Sequence, residues 1–119
     1  MIEYIGIPYS FKNYNCWDHV AKVRLDNGIN TKLFKPKNIT NAFEIITAQM
    51  KKIDNGLTRV DSLEDFDIVV CTSKTNIPTY HCGVYCGGYV SHNDRTKRQV
   101  VMETLSVFLA SYQGATFWR

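Results

Sequence analysis

Two adjacent glycines, Gly87-Gly88, constrain the fold of this chain more than any other stretch, because they separate two runs of strand-forming residues. The first run covers 81–86 and the second 89–92. Such a pair favours a two-residue hairpin turn, in which both central residues need a positive φ that glycine adopts without strain. A turn of this length places Cys86 opposite Tyr89, and the register of the whole hairpin follows from that pairing.

This register predicts that two histidines share one face of the hairpin. His92 lies opposite Gly83, and His81 is then its diagonal neighbour at roughly 7 Å. Facing residues point to the same side of a sheet, so His81, Gly83, Tyr85 and His92 are expected to point the same way. Gly83 has no side chain and leaves room for both rings. We therefore expect the two imidazoles to meet.

A cysteine in the first turn of a predicted helix is the second informative feature. Helical spacing of apolar residues predicts a helix from about Cys16 to about Leu25, ended by a left-handed cap at Gly28. Asn15 is a good N-cap, because its side-chain oxygen can accept a backbone N–H from the helix start. The positive end of the helix dipole stabilises a thiolate, so we expect the pKa of Cys16 to be lowered.

A thiolate nucleophile needs a base, and the base needs a third group that fixes its tautomer. Cys16, His81 and His92 could supply these roles in that order. His19 also follows Cys16 on the same helix, but side chains there lean back along their own surface, so it is a poorer base and could equally be exposed. The alternative is that both hairpin histidines are ordinary structural residues.

A zinc site is a further alternative, because His81, Cys82, Cys86 and His92 are all potential ligands. The spacing argues against it, since Cys82 and Cys86 are separated by roughly 13 Å of strand and face away from the histidines. We therefore expect no metal. The chain contains four cysteines, and we expect free thiols, because the compartment in which the chain is made is expected to be reducing.

The rest of the pattern indicates helices first and an antiparallel sheet afterwards, which is typical of an α+β fold. A single domain spanning 1–119 is expected from the length. The predicted elements are extended chain at 4–9, a second helix from near Asn41 to Gly56, strands at 68–72, 99–103 and 115–119, and a helical turn at 105–112.

Charge and targeting signals exclude several classes of protein. The net charge is only +3, and the one tight basic group, Arg95, Lys97 and Arg98, is typical of a solvated loop and not of a nucleic-acid interface. The N-terminal residues do not resemble a signal peptide, and no run approaches a membrane span. We expect synthesis in a cytoplasm, with no membrane insertion.

Taken in order, these residues resemble the NlpC/P60 family of cysteine peptidases, in particular its small phage-tail members. The matching motifs are Tyr4-Ile5-Gly6-Ile7-Pro8-Tyr9, Asn15-Cys16-Trp17, Asp65-Phe66-Asp67-Ile68-Val69, His81-Cys82-Gly83-Val84-Tyr85, Val90-Ser91-His92 and Gly114-Ala115-Thr116-Phe117-Trp118-Arg119. Two positions depart from the family pattern. Asn15 stands where the family usually has Asp, and Asp18 stands where it has Gly.

The resemblance implies a papain-like fold, with N-terminal helices packed on an antiparallel sheet. It implies cleavage of peptidoglycan stem peptides at the bond between D-γ-glutamate and the diamino acid, without a cofactor. Cys16 would be the nucleophile, His81 the base and His92 the orienting residue. The backbone N–H of Cys16 would contribute to an oxyanion hole. Like-charge repulsion from Asp18 would raise the thiol pKa.

We further expect Tyr9, Trp17 and Asp18 to contact the substrate. The resemblance to phage-tail members implies a virion protein that aids wall penetration, with other tail proteins as partners. Two other functions stay open at this point. One is a catalytically weak or inactive structural module of the tail tip with the same fold, and the other is an acyltransferase or amidase that acts on a different substrate.

Overall fold

The computed structural model describes residues 1–31, 56–76 and 79–119. Its elements are a 3-10 helix at Ile2–Tyr4, α1 at Cys16–Asp26, β1 at Arg59–Val60, β2 at Ile68–Ser73, β3 at Tyr80–Cys86, β4 at Tyr89–Asp94, β5 at Gln99–Thr104, α2 at Leu105–Ser111 and β6 at Tyr112–Trp118. The second helix expected near 41–56 lies outside the described residues, apart from Gly56. Within the described ranges, no helix has the length and apolar character needed to cross a bilayer.

The strands form one sheet in the order β1-β6-β2-β3-β4-β5, and every neighbouring pair is antiparallel. The expected α+β class is therefore confirmed. β2 lies inside the sheet, and its residues 68–71 are all buried, as the continuous apolar run predicts. β1 was not predicted, because a strand of two residues is too short to show an alternation of apolar and polar side chains. β6 begins at Tyr112 and not at Ala115.

The hairpin between β3 and β4 has the predicted register. Gly87 and Gly88 both have positive φ, 58° and 89°, as a type I′ turn requires. Cys86 pairs with Tyr89, and the ladder continues inward along both strands. The glycine pair therefore fixes which hairpin residues share a face.

The two helices cover opposite faces of the sheet. On one face, α1 packs against the sheet through Trp17, Val20 and Val23. The sheet residues in the same core cluster include Ile68, Val70, Cys82, Val84 and Val100. On the other face Phe108 of α2 packs against Val69, Cys71 and Val90. Alternate residues of β3 and β4 therefore meet different helices, which places Cys82 on the α1 side and His81 on the α2 side.

A capping box determines where α1 begins. The Asn15 side-chain oxygen accepts the N–H groups of Trp17 and Asp18 at 3.0 Å each, and the Asp18 carboxylate accepts the Asn15 N–H at 3.1 Å. Two orphan donors and the N-cap N–H are thereby satisfied. The helix starts at Cys16, as predicted, and Gly28 follows its end with φ +81°.

Candidate active site

A cavity of about 220 Å³ lies where the start of α1 meets β3. Its wall includes Cys16 from α1 and His81 from β3. Polar and aromatic side chains complete the wall, among them Tyr9, Tyr80, Asp94, Arg95 and Tyr112. The residue predicted as nucleophile and the residue predicted as base thus line the same cavity.

The two hairpin histidines meet as expected. Nε2 of His81 lies 2.8 Å from Nδ1 of His92, and the rings cross at 80°. Gly83 leaves the space that this contact needs, because a Cβ built there would lie 2.5 Å from Cγ1 of Val90 and 3.1 Å from Cβ of His92. Since Nε2 of His81 is engaged, Nδ1 is the nitrogen left to face a nucleophile.

Aromatic side chains from α2 and β6 hold the pair. The His81 ring stacks on Tyr112, with centroids 4.9 Å apart and planes 17° from parallel. The His92 and Phe108 rings meet edge to face, with centroids 4.8 Å apart. Burial, followed by the charge of His81, lowers the pKa of His92 to about 4, although Glu103 and Asp94 act in the opposite direction. His92 is therefore neutral at neutral pH.

The pKa of the Cys16 thiol is held well below its ordinary value, as expected for a nucleophile. The largest cause is hydrogen bonding from the Cys82 thiol. Hydrogen bonding and the charge of His81 add to it, and burial opposes them. Burial and donation to Cys16 raise the pKa of Cys82. The sequence pattern treated Cys82 only as a core thiol, so its contact with Cys16 was missed.

The three predicted substrate contacts have different surroundings. Tyr9 lines the cavity, and burial raises its pKa to about 12, so that it keeps its hydroxyl proton. Trp17 is buried in the core under α1. Asp18 is buried and its carboxylate completes the capping box. Despite Asp18, the net shift of the Cys16 pKa is downward.

His19 has no place in this cavity. Its ring is fully buried, Nδ1 bonds the Tyr14 hydroxyl at 2.8 Å, and Nε2 bonds the Ser91 hydroxyl at 2.8 Å. The expectation that it could be a surface residue is therefore wrong. Both of its nitrogens already have partners, so it fastens α1 to β4 and is not available to deprotonate Cys16.

Among the residues that the structure describes, one group of side chains could hold a metal ion. Single ligand atoms of His92, Asp94 and Glu103 lie within 4.8 Å of one another. This set differs from the zinc ligands considered from sequence. The ammonium of Lys97 already lies 2.9 Å from a Glu103 oxygen, and Asp94 accepts backbone N–H groups from Thr96 and Lys97.

The exposed Arg95, Lys97 and Arg98 form a solvated turn.

Comparison of the chain with known protein families and with curated proteins returned no match. The chemistry is therefore inferred from the geometry of the site. A cysteine with a lowered pKa stands beside an imidazole whose far nitrogen is bound to a second, neutral imidazole. Such an arrangement can attack an electrophilic carbonyl and move a proton.

Proposed function

We propose that the chain is a cysteine hydrolase in which Cys16 is the nucleophile, His81 the general acid–base and His92 the residue that orients His81. The observation that carries this proposal is the connected series from the Cys16 thiol through His81 to His92, in which the imidazoles lie 2.8 Å apart. The cavity in front of Cys16 supports it, because a substrate carbonyl needs space beside the sulfur.

The reaction proceeds in two halves. The Cys16 thiolate attacks the carbonyl carbon of an amide, and the carbonyl electrons move to the oxygen. The His81 imidazolium then gives its Nδ1 proton to the departing nitrogen, the C–N bond breaks, and a thioester remains. Water attacks the thioester while His81 takes a proton from it, and the acid product leaves with the thiolate restored. Assistance of this kind is worth roughly 100- to 10,000-fold in rate.

The backbone at the start of α1 is suited to stabilise the oxyanion. The N–H groups of Trp17 and Asp18 are used by the N-cap. Among the described residues, none accepts a hydrogen bond from the N–H of Cys16. This donor is available beside the sulfur, where charge develops on the carbonyl oxygen.

The substrate class rests on the sequence resemblance to the NlpC/P60 family. We propose peptidoglycan stem peptides, with cleavage between D-γ-glutamate and the diamino acid. On the same resemblance, the protein acts in a phage tail during wall penetration, beside other tail proteins. The Asp94 and Arg95 side chains on the cavity wall offer both charge signs to such a peptide. We do not propose Trp17 or Asp18 as substrate contacts, because both are buried away from the cavity.

Thiol reactivity tests the nucleophile directly. Iodoacetamide should alkylate Cys16 well below pH 8, and His81→Ala should move this reactivity to higher pH. Cys86→Ser is the matched control, because burial raises the Cys86 pKa and its thiol should contribute little. A reaction that begins only above pH 8 and is the same in His81→Ala would overturn the proposed nucleophile.

Digestion of purified muropeptides tests the substrate. The wild-type chain should release stem-peptide fragments that mass spectrometry identifies by their new termini, and Cys16→Ala should release none. Cell walls with different diamino acids should be compared, because the preferred bond differs between them. Equal absence of products from both proteins on every wall type would contradict the peptidase assignment and favour a structural role.

A further inference from the structure

His92 touches an acidic side chain that the reaction described above does not use. Glu103 of β5 lies two residues beyond Val101, the partner of His92, and so shares its face of the sheet. A Glu103 oxygen lies 3.5 Å from Nε2 of His92, whose side chain is only 1% exposed. Among the described residues, no group makes a hydrogen bond to this buried nitrogen, so Glu103 is the carboxylate placed to interact with it. The distance exceeds that of a well-formed hydrogen bond, but it brings the carboxylate within ion-pair range of the ring nitrogen.

The contact matters because, when both imidazoles are neutral, one proton decides the direction of the hydrogen bond between them. If His81 donates from Nε2, His92 accepts at Nδ1 and carries its own proton on Nε2. His81 then presents a bare Nδ1, which can act as a base toward Cys16. If His92 donates instead, the His81 proton moves to Nδ1 and the base is lost.

We infer that Glu103 is a positioning residue whose carboxylate keeps the His92 proton on Nε2, so that the imidazole pair is oriented toward Cys16. The consequence for catalysis rests on the proposed hydrolase function, whereas the tautomer itself does not. The full series runs from Cys16 through His81 and His92 to Glu103.

Lys97 supports this assignment over a metal site at the same place. Its ammonium lies 2.9 Å from the second oxygen of Glu103, whose side chain is only 15% exposed. Asp94, the third member of the potential metal group, uses one oxygen for two backbone N–H groups. The charges that face His92 are thus Glu103, Asp94 and the ring of His81.

Nitrogen-15 spectra of the histidine rings in the full chain test the tautomer without any substrate. In the wild type, the His92 proton should be on Nε2. In Glu103→Leu it should shift toward Nδ1, and Glu103→Gln, which keeps an acceptor oxygen and nearly the same shape, should restore the wild-type tautomer in part. Lys97→Met is the matched control and should leave the tautomer unchanged, since it keeps the Glu103 carboxylate.

The kinetic counterpart is a fall in kcat of roughly 10- to 100-fold in Glu103→Leu, with little change in KM and partial recovery in Glu103→Gln. A wild-type His92 proton on Nδ1 would overturn the inference even if Glu103→Leu does not fold. So would a folded Glu103→Leu with the wild-type tautomer. A tautomer that depends on Glu103 in a protein without hydrolase activity would refute only the proposed function.

Discussion

Two hydrogen-bonded histidine networks lie on opposite faces of β4. Both ring nitrogens of His19 have hydrogen-bond partners, whereas one ring nitrogen of His81 is left to face the cavity. Ser91 and His92 are neighbours on β4 and point to opposite faces. Ser91 bonds His19, whose other nitrogen bonds Tyr14. Within the described part of the chain, the one hydrogen bond of the His92 ring is to Nε2 of His81, and His81 lines the cavity beside Cys16. His19 has two hydrogen-bond partners inside the core and holds α1 to β4, whereas His81 has a nitrogen free to face the cavity and can exchange a proton there.

The difference between the two networks is tested most directly by replacing His81 and His19 with alanine in separate variants. His81→Ala should lower the rate of muropeptide hydrolysis by roughly 100- to 10,000-fold with little loss of stability, because His81 is only half-buried. His19→Ala should lower the free energy of unfolding by about 2–4 kcal/mol, since it leaves a cavity and unpaired hydroxyls on Tyr14 and Ser91. Urea unfolding and hydrolysis assays measure the two effects.

Measuring both the hydrolysis rate and the free energy of unfolding in each variant provides the control. His19→Ala should lose much less hydrolytic rate per folded molecule than His81→Ala. If His81→Ala hydrolysed muropeptides normally, or if His19→Ala were as stable as the wild type, the division between proton carrier and fastener would be wrong.

Both networks should make the stability of the fold sensitive to acid, because each contains a buried histidine with a lowered pKa. Burial lowers the pKa of both His19 and His92 from 6.5 to about 4. The unfolded chain binds these protons near pH 6.5 and the folded chain only near pH 4. Stability is therefore full above pH 6.5 and falls as the pH drops toward 4, by about 3 kcal/mol for each group. Urea unfolding at pH 7 and pH 4 measures the loss.

His19→Gln separates the two contributions, because glutamine does not titrate. Its acid-induced loss of stability should be smaller than that of the wild type by about 3 kcal/mol. Identical losses in the two proteins would show that His19 is not protonated differently on folding.

A smaller effect is expected from Gly83→Ala, which acts on the His81–His92 pair. The added Cβ would lie 2.5 Å from Cγ1 of Val90, so the strands must shift, at a cost of about 1–3 kcal/mol. The His81–His92 hydrogen bond should weaken, which the ring nitrogen spectra would detect. Gly6→Ala is the control, because no atom lies within 4 Å of its added Cβ and only its positive φ is strained.

Local rules predicted the parts of the site that depend on short stretches. Asn15 predicted the start of α1, and the Gly87-Gly88 turn predicted the register that brings His81 to His92. Both follow from a few neighbouring residues, since cap and turn chemistry act over three or four positions.

Contacts between distant segments were not predictable in this way. Alternation places Cys82 on the opposite face from His81, but it does not reveal that the start of α1 packs on that face and brings Cys16 to Cys82. The burial of His19 depends equally on where α1 lies. Glu103 gave no signal in the sequence, because the role inferred for it depends on the pairing of β5 with β4.

The adjacency of Ser91 and His92 also affects how the site tolerates motion. α1, which carries the proposed nucleophile Cys16, is held through His19 to Ser91, and the proposed base His81 is hydrogen-bonded to His92, the next residue of β4. A displacement of β4 therefore carries sulfur and imidazole in the same direction, and their separation changes less than either position does. The distance between the Cys16 sulfur and the His81 ring is therefore expected to tolerate small shifts of β4.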